Sequence, residues 1–225
     1  MATREAHVGT RRRLLMIRHG QTGHNAAGRM QGQADTQLSE VGKAQAQRLA
    51  SYLAATEPTI TRIISSDLSR AADTARALSA ATGVPAVFDS RLRETNLGVW
   101  QERSYEEIDA DYPGMRDHWR HNPNWAPEGG ETRYEVAARM LSVISELSQD
   151  PAWERETFVL VSHGGAISAA TSSLLQLPRE HFSVFNGVRN TAWVDLEQRR
   201  RVSGEIRWWL NAFNATAPAE SYGAA

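Results

Sequence analysis

Leu14-Leu15-Met16-Ile17-Arg18-His19-Gly20 and Phe158-Val159-Leu160-Val161-Ser162-His163-Gly164-Gly165 lie far apart in the chain and are built alike. Each is a short apolar run that ends in a polar or charged residue, an imidazole and then glycine. Such a run reads as a strand that delivers its last side chain into a crevice. Glycine directly after the imidazole lets a ligand come close to the backbone. In open α/β sheets, ligands sit just outside the carboxyl ends of the strands. Two imidazoles presented in this way point to one shared polar site.

Outward from these runs, strand and helix patterns alternate, which predicts an α/β fold with crossover helices and a mostly parallel sheet. Strands are expected over 14–18, 62–65, 86–89, 157–162, 192–196 and 205–210. Ser39 reads as a helix N-cap with Glu40 in the first turn, opening a helix to about residue 55. Residues 69–82 are Ala-rich and stop at Gly83, a normal helix end. Across 132–148, Val136, Met140, Ile144 and Leu147 form one apolar helical stripe suited to core packing. Between 103 and 130 the pattern turns irregular and aromatic, with Tyr105, Tyr112, Trp119 and Trp125. That stretch reads as an insertion over the sheet. Its aromatic side chains could stack on a sugar or simply form the core of a lid.

The chain has 225 residues, which suggests a single domain spanning 1–225 with a proper core. Its 25 Lys+Arg against 26 Asp+Glu leave a formal net charge of -1. Nucleic-acid and membrane-surface partners would call for a basic excess, and none is present. There is no cysteine, so disulfides, thiolate catalysis and Cys-ligated zinc are excluded. Residues 1–13 are polar and Arg-rich, and the apolar run 14–17 is shorter than the ~7–15 residues of a signal-peptide core. No stretch approaches the ~20 apolar residues of a membrane span, and a cytoplasmic protein is expected. Asn214-Ala215-Thr216 fits a glycosylation sequon and is read as coincidence.

Four clusters could carry chemistry. Arg18-His19-Gly20-Gln21-Thr22, followed by Asn25, Arg29, Gln31 and Gly32, sets a cation, an imidazole and amide donors close to one strand end. Phosphate oxygens want charged and neutral donors together. Ser65-Ser66-Asp67-Leu68-Ser69-Arg70-Ala71-Ala72-Asp73-Thr74-Ala75 places Arg70 in the first turn of a helix, where the backbone already favours anions. Arg91-Leu92-Arg93-Glu94 supplies a carboxyl group able to protonate a leaving oxygen and later deprotonate water. His163 precedes the Gly164-Gly165 pair that opens the next helix. Taken singly, each has a plainer reading: a solvated loop, a surface ion pair, a salt bridge, a core histidine. Together they follow four different predicted strands whose ends converge at one sheet edge.

Other chemistries fit less well. Leu160 stands where the first glycine of a Gly-x-Ser-x-Gly nucleophile elbow should be, which argues against Ser162 as a nucleophile. His118 and His121 could touch one metal, with Asp111 and Asp117 nearby, but they match no familiar ligand spacing. His7, His24 and His181 have no supporting pattern. No metal and no cofactor are implied.

Arg18-His19-Gly20-Gln21-Thr22-x-x-Asn25 resembles the signature of the histidine phosphatase superfamily. So do Thr36-x-Leu38-Ser39-x-x-Gly42-x-x-Gln45-Ala46, the 65–75 segment, Leu92-Arg93-Glu94 and Ser162-His163-Gly164-Gly165. The resemblance runs from about residue 14 to about residue 210 and implies a three-layer αβα sandwich, phosphoglycerate mutase-like. It implies that His19 is the nucleophile, phosphorylated transiently. Arg18, Arg70 and His163 would hold the phosphoryl group, with Asn25 beside them, and Glu94 would be proton donor and then base. Gln31, Gly32, Gly164 and Leu210 are similar to substrate-binding positions. Within the superfamily the chain looks most like phosphatases that act on a small phosphorylated glycosyl acid. A cofactor-dependent mutase would carry Glu-Arg-His-Tyr-Gly where this chain has Glu94-Thr95-Asn96-Leu97-Gly98, so hydrolysis is expected over phosphate shuttling. A broad-range phosphatase and such a mutase remain the alternatives, with a catalytically silent phospho-ligand sensor as a third. Relatives of this kind often pair as dimers, and a sheet-edge strand near 205–210 could serve as the contact.

Overall fold

The computed structural model describes residues 11–185, 187–200 and 204–218. His7, Arg201 and most of the polar leader lie outside the described residues. In chain order the elements are β1 (Arg11–Arg18), α1 (Gly23–Ala26), α2 (Glu40–Thr56), β2 (Ile60–Ser65), α3 (Ser69–Thr82), β3 (Ala86–Phe88), α4 (Tyr105–Asp111), α5 (Met115–His121), α6 (Arg133–Leu147), β4 (Thr157–Ser162), α7 (Gly164–Leu174), β5 (Trp193–Arg200) and β6 (Ile206–Ala215). Short 3₁₀ turns join several of them.

The strands form one sheet in the order β3-β2-β4-β1-β5-β6. The pairs β2–β3, β2–β4 and β1–β4 are parallel, while β1–β5 and β5–β6 are antiparallel. Only β5 therefore runs against the others, and the mostly parallel sheet holds as expected.

The two opening runs lie at the centre because both of their faces are apolar. Leu14 and Met16 of β1, with Phe158 and Leu160 of β4, pack on one face against Val136, Met140 and Ile144 of α6 and Ile167 of α7. Leu15, Ile17, Val159 and Val161 point the other way, onto Leu49 and Leu53 of α2 and Ala71 and Leu78 of α3. A period of two with both faces covered is what a buried parallel strand shows. The result is the three-layer αβα sandwich.

Where the structure departs from the sequence reading, the reasons are local. β6 is longer than 205–210 because its pairing with β5 continues past two register shifts to Ala215. The 103–130 stretch is not wholly irregular, since it contains α4 and α5. A reciprocal capping box between Ser104 and Glu107 starts α4. Both helices pack on a separate small core of Met30, Leu97, Trp100 and Ile108, flanked by Tyr112, Met115, Trp119 and Trp125. No described helix is long and apolar enough to cross a membrane.

Two features of this fold place the site. Register pairs Arg18 with Ser162, so the next residues, His19 and His163, emerge side by side from neighbouring strands. The first turn of α2 presses on the loop after β1. A Cβ at Gly42 would lie 2.0 Å from the Gln21 carbonyl oxygen, and one at Gly20 would lie 2.4 Å from that of Gly42. Ser39 ties the same contact, accepting from Gly42 N and donating to Gln21 O.

Candidate active site

His19 is 2% exposed, and its backbone N–H extends the ladder to Ser162 O. Its Nδ1 lies 2.6 Å from the Gly20 carbonyl oxygen. A carbonyl only accepts, so Nδ1 must carry the proton. Burial first, and then the charges of Arg18 and Arg70, push the imidazole pKa well below its ordinary value. The ring is therefore neutral, and Nε2 holds the lone pair. Arg70 Nε donates to that nitrogen at 3.3 Å.

Arg70 is 1% exposed at the start of α3. Its two terminal nitrogens donate to Ala34 O at 2.7 Å and Gly32 O at 2.8 Å, which aims the guanidinium edge at His19. Gly32 provides that carbonyl from a left-handed turn, φ +52°, where a Cβ would meet the Gln101 side chain. Burial lowers the Arg70 pKa to about 10, still far above neutrality.

The His163 ring centroid is 5.0 Å from that of His19. Its Nε2 lies 2.9 Å from Ser66 Oγ, which already accepts from Leu68 N. The Ser66 proton is thus free to point at Nε2, leaving Nδ1 protonated. Nδ1 is buried and has no protein partner among the described residues, and the same holds for Arg18 Nε. Arg18 donates a terminal nitrogen to Val188 O at 2.7 Å. Two buried donors without acceptors, beside a lone pair held by an arginine, form a cradle for an oxyanion.

Asn25 and Gln31 complete one wall. Asn25 Oδ1 accepts from Thr22 N and from Asn190 Nδ2, so its amide NH₂ is turned elsewhere. Gln31 Oε1 accepts from the hydroxyls of Thr22 and Thr36, which fixes its amide in the same sense. Glu94 faces them from across the cleft. Its carboxylate accepts from Thr95 N at 2.8 Å, Ala166 N at 2.9 Å and Gly165 N at 3.0 Å. Those last two donors belong to the first turn of α7. Arg139 braces the Glu94 carbonyl and pairs with Glu131.

The cleft has a volume of about 540 Å³. Arg18, His19, Asn25, Gln31, Gly32, Arg70, Glu94 and Gly164 all line it, and buried His163 adjoins His19. Leu210 is the exception and does not line this cleft. It lies on β6, partly buried against the main core, because β6 sits at the far edge of the sheet, beyond β5 from β1. His118 and His121 belong to no group of three or more His, Cys, Asp or Glu among the described residues that could hold a metal ion. His118 instead packs edge-on against Trp125, and His121 lies by Asp117.

Sequence reasoning assigned no role to several residues that shape the site. Ser66 orients His163, and Thr74 Oγ1 accepts from Gly20 N. Asn190 donates to His19 O and to Asn25. Ser66 and Thr74 stood in a quoted stretch, but nothing in a sequence says which imidazole or amide a hydroxyl will meet. Asn190 comes from a loop before β5 that carries no motif. Arg120 and Arg133 also line the cleft, as does Arg29. Five guanidinium groups thus stand around one carboxylate, and the ligand this suits is a small anion with more than one charged group.

The profile of the histidine phosphatase superfamily (branch 1) matches residues 14–212. A glucosyl-3-phosphoglycerate phosphatase of Mycolicibacterium vanbaalenii is 47% identical over 217 residues, 92% of this chain and 96% of that protein. A probable phosphoglycerate mutase GpmB of Yersinia pestis is 37% identical over 73% of this chain and 75% of its own length. The solved structure of a mycobacterial glucosyl-3-phosphoglycerate phosphatase with VO3 superposes with a TM-score of 0.85 at 46% identity, covering 91% of this chain and all of that one.

Proposed function

The chain belongs to branch 1 of the histidine phosphatase superfamily, and on that premise we propose that it hydrolyses glucosyl-3-phosphoglycerate to glucosylglycerate and phosphate through a phosphohistidine at His19. It is a phosphoric monoester hydrolase. The observation that carries the mechanistic reading is the tautomer of His19, with Nδ1 donating to Gly20 O and the lone pair on Nε2, where Arg70 Nε donates.

In this reading, Nε2 attacks phosphorus in line and the bond from phosphorus to the ester oxygen breaks. Phosphoryl transfer needs placement and charge neutralisation more than covalent assistance. Arg18, Arg70, His163 and Asn25 provide it, the unpartnered Arg18 Nε and His163 Nδ1 meeting phosphoryl oxygens. Glu94 gives a proton to the departing sugar-acid oxygen. It then takes one from the water that opens the phosphohistidine, which returns His19 with its lone pair on Nε2. Gln31, Gly32 and Gly164 lie where the rest of the substrate would sit. We place the step in the making of polymethylated glucose polysaccharides, where glucosylglycerate is consumed.

The substrate is tested by phosphate release from glucosyl-3-phosphoglycerate, mannosyl-3-phosphoglycerate, 3-phosphoglycerate and simple sugar phosphates. A strong preference for the glycosylated acids is expected, and a flat profile would instead mean a broad-range phosphatase. Conversion of 3- to 2-phosphoglycerate dependent on bisphosphoglycerate would mean a mutase. We also propose that two copies pair through the β6 edge, where Ile206 and Trp209 are exposed. Sedimentation of a monomer at micromolar concentration would contradict that pairing.

A further inference from the structure

Arg133, the first residue of α6, lines the cleft and is half-buried. Its guanidinium lies over the ring of Trp119, 5.0 Å from the centroid. Two other cleft guanidinium groups withdrawn from solvent, Arg18 and Arg70, are held by the protein, as is the exposed Arg29. Arg18 donates to Val188 O, Arg70 to Gly32 O and Ala34 O, and Arg29 to Glu102 O. The Arg133 guanidinium has no hydrogen-bond or ion-pair partner among the described residues, its backbone N–H alone donating to Pro123 O. The one carboxylate that lines the cleft, Glu94, is taken by Thr95, Gly165 and Ala166.

This arrangement has a price unless something answers it. A guanidinium withdrawn from water is stabilised only by pairing and hydrogen bonding. Burial disfavours its charged form, the charge of Glu94 across the cleft offsets part of that, and the charge of Arg120 opposes it again. The Trp119 face recovers part of that loss. Trp119 is itself fixed, edge-on to Trp100 at 6.2 Å, so the cation is carried on a rigid platform. A planar fork aimed into a cleft and lacking an acceptor matches a carboxylate bidentately. The phosphoryl group is already supplied with donors by Arg18, Arg70 and His163.

We propose that Arg133, stacked on Trp119, binds the carboxylate of the substrate and makes this enzyme selective for phosphomonoesters that carry a second anionic group. The inference rests on the phosphatase reading above and narrows it to phosphorylated sugar acids. Trp119 acts as a positioning residue that fixes the fork.

The test compares glucosyl-3-phosphoglycerate with its analogue in which the carboxylate is reduced to hydroxymethyl, with p-nitrophenyl phosphate as a reference. The wild type is expected to favour the acid by about 10- to 100-fold in kcat/KM, the range for a hydrogen bond to a charged group. Arg133→Gln is expected to erase that preference, mainly through KM, while turnover of the hydroxymethyl analogue and of p-nitrophenyl phosphate stays near wild type. Retained preference in Arg133→Gln overturns the proposal, as does an equal loss on all three substrates by a variant with a normal melting transition. If Arg133→Gln does not fold, Arg133→Lys makes the same comparison and should lose most of the preference, because an ammonium lacks the fork. If the wild type hydrolyses p-nitrophenyl phosphate but neither glycosyl compound, the substrate reading fails separately. 3-Phosphoglycerate and glycerol 3-phosphate then provide the same pair for Arg133.

Discussion

Arg70 Nε donates to His19 Nε2 across 3.3 Å, so in the proposed mechanism the cation that receives the phosphoryl group first holds the lone pair that attacks phosphorus. When Nε2 bonds to phosphorus, that donor can pass to a phosphoryl oxygen while the other two guanidinium nitrogens stay on Gly32 O and Ala34 O. The contact shifts without the side chain moving far, and preorganisation of this kind is worth more than charge alone.

Arg70→Lys should therefore fail despite keeping a positive charge. One ammonium cannot span two carbonyls and His19 together. Loss of a single preorganised donor costs about 10²–10³ in kcat, and steady-state hydrolysis of p-nitrophenyl phosphate is expected to show a drop of that size. Near-normal kcat in Arg70→Lys would mean that only net charge matters.

Glu94→Gln should discriminate between leaving groups. General acid catalysis contributes about 10²–10⁴-fold where the departing oxygen is strongly basic. Hydrolysis of an alkyl phosphate such as the sugar acid should thus fall by that factor, and p-nitrophenyl phosphate, whose phenolate leaves unaided, by much less. Equal losses on both would remove the proton-donor role.

The buried imidazoles make stability depend on pH in a definite sense. Burial first, and neighbouring arginine charge second, hold both His19 and His163 neutral in the fold, well below the usual imidazole pKa. In the unfolded chain both titrate near about 6.5. Below that pH the unfolded state binds more protons than the folded one, so stability present above it is lost as pH falls. The slope should approach about 1.4 kcal/mol per pH unit for each histidine. Urea unfolding between pH 7 and pH 5 measures this, and His163→Gln should remove roughly half of the slope. A flat dependence in wild type would show that the imidazoles protonate within the fold.

Gly42→Ala tests how the loop after β1 is set. Its Cβ would stand 2.0 Å from Gln21 O, a backbone atom that cannot rotate away. Overpacking of this kind costs about 1–3 kcal/mol, and the displaced loop is the one that carries His19. Thermal unfolding should show the loss together with reduced kcat. An unchanged melting temperature would mean that α2 moves freely.

The sheet was readable because β1 and β4 are apolar on both faces, and their shared ending in His-Gly marked the edge where ligands bind. Register then did the rest, since Arg18 opposite Ser162 forces His19 beside His163. Helices α2, α3 and α6 announced themselves by cap and stripe. What stayed hidden depends on contacts between distant segments. α4 and α5 are too short for a periodic stripe, and their aromatics serve a small core of their own. The β6 edge was placed, but its length follows from pairing with β5. Leu210 was assigned to the pocket by likeness alone, and its strand lies two places from β1 in the sheet. Arg133 belongs to no motif, and only the fold shows that it lines the cleft.

The most direct measurement is rapid quenching of enzyme mixed with ³²P-labelled phosphomonoester, followed by peptide mapping. An acid-labile, base-stable label on the peptide containing His19, absent from His19→Ala, is the expected result. Label that maps elsewhere, or an unlabelled His19 together with undiminished turnover in the alanine variant, would contradict attack by this nitrogen.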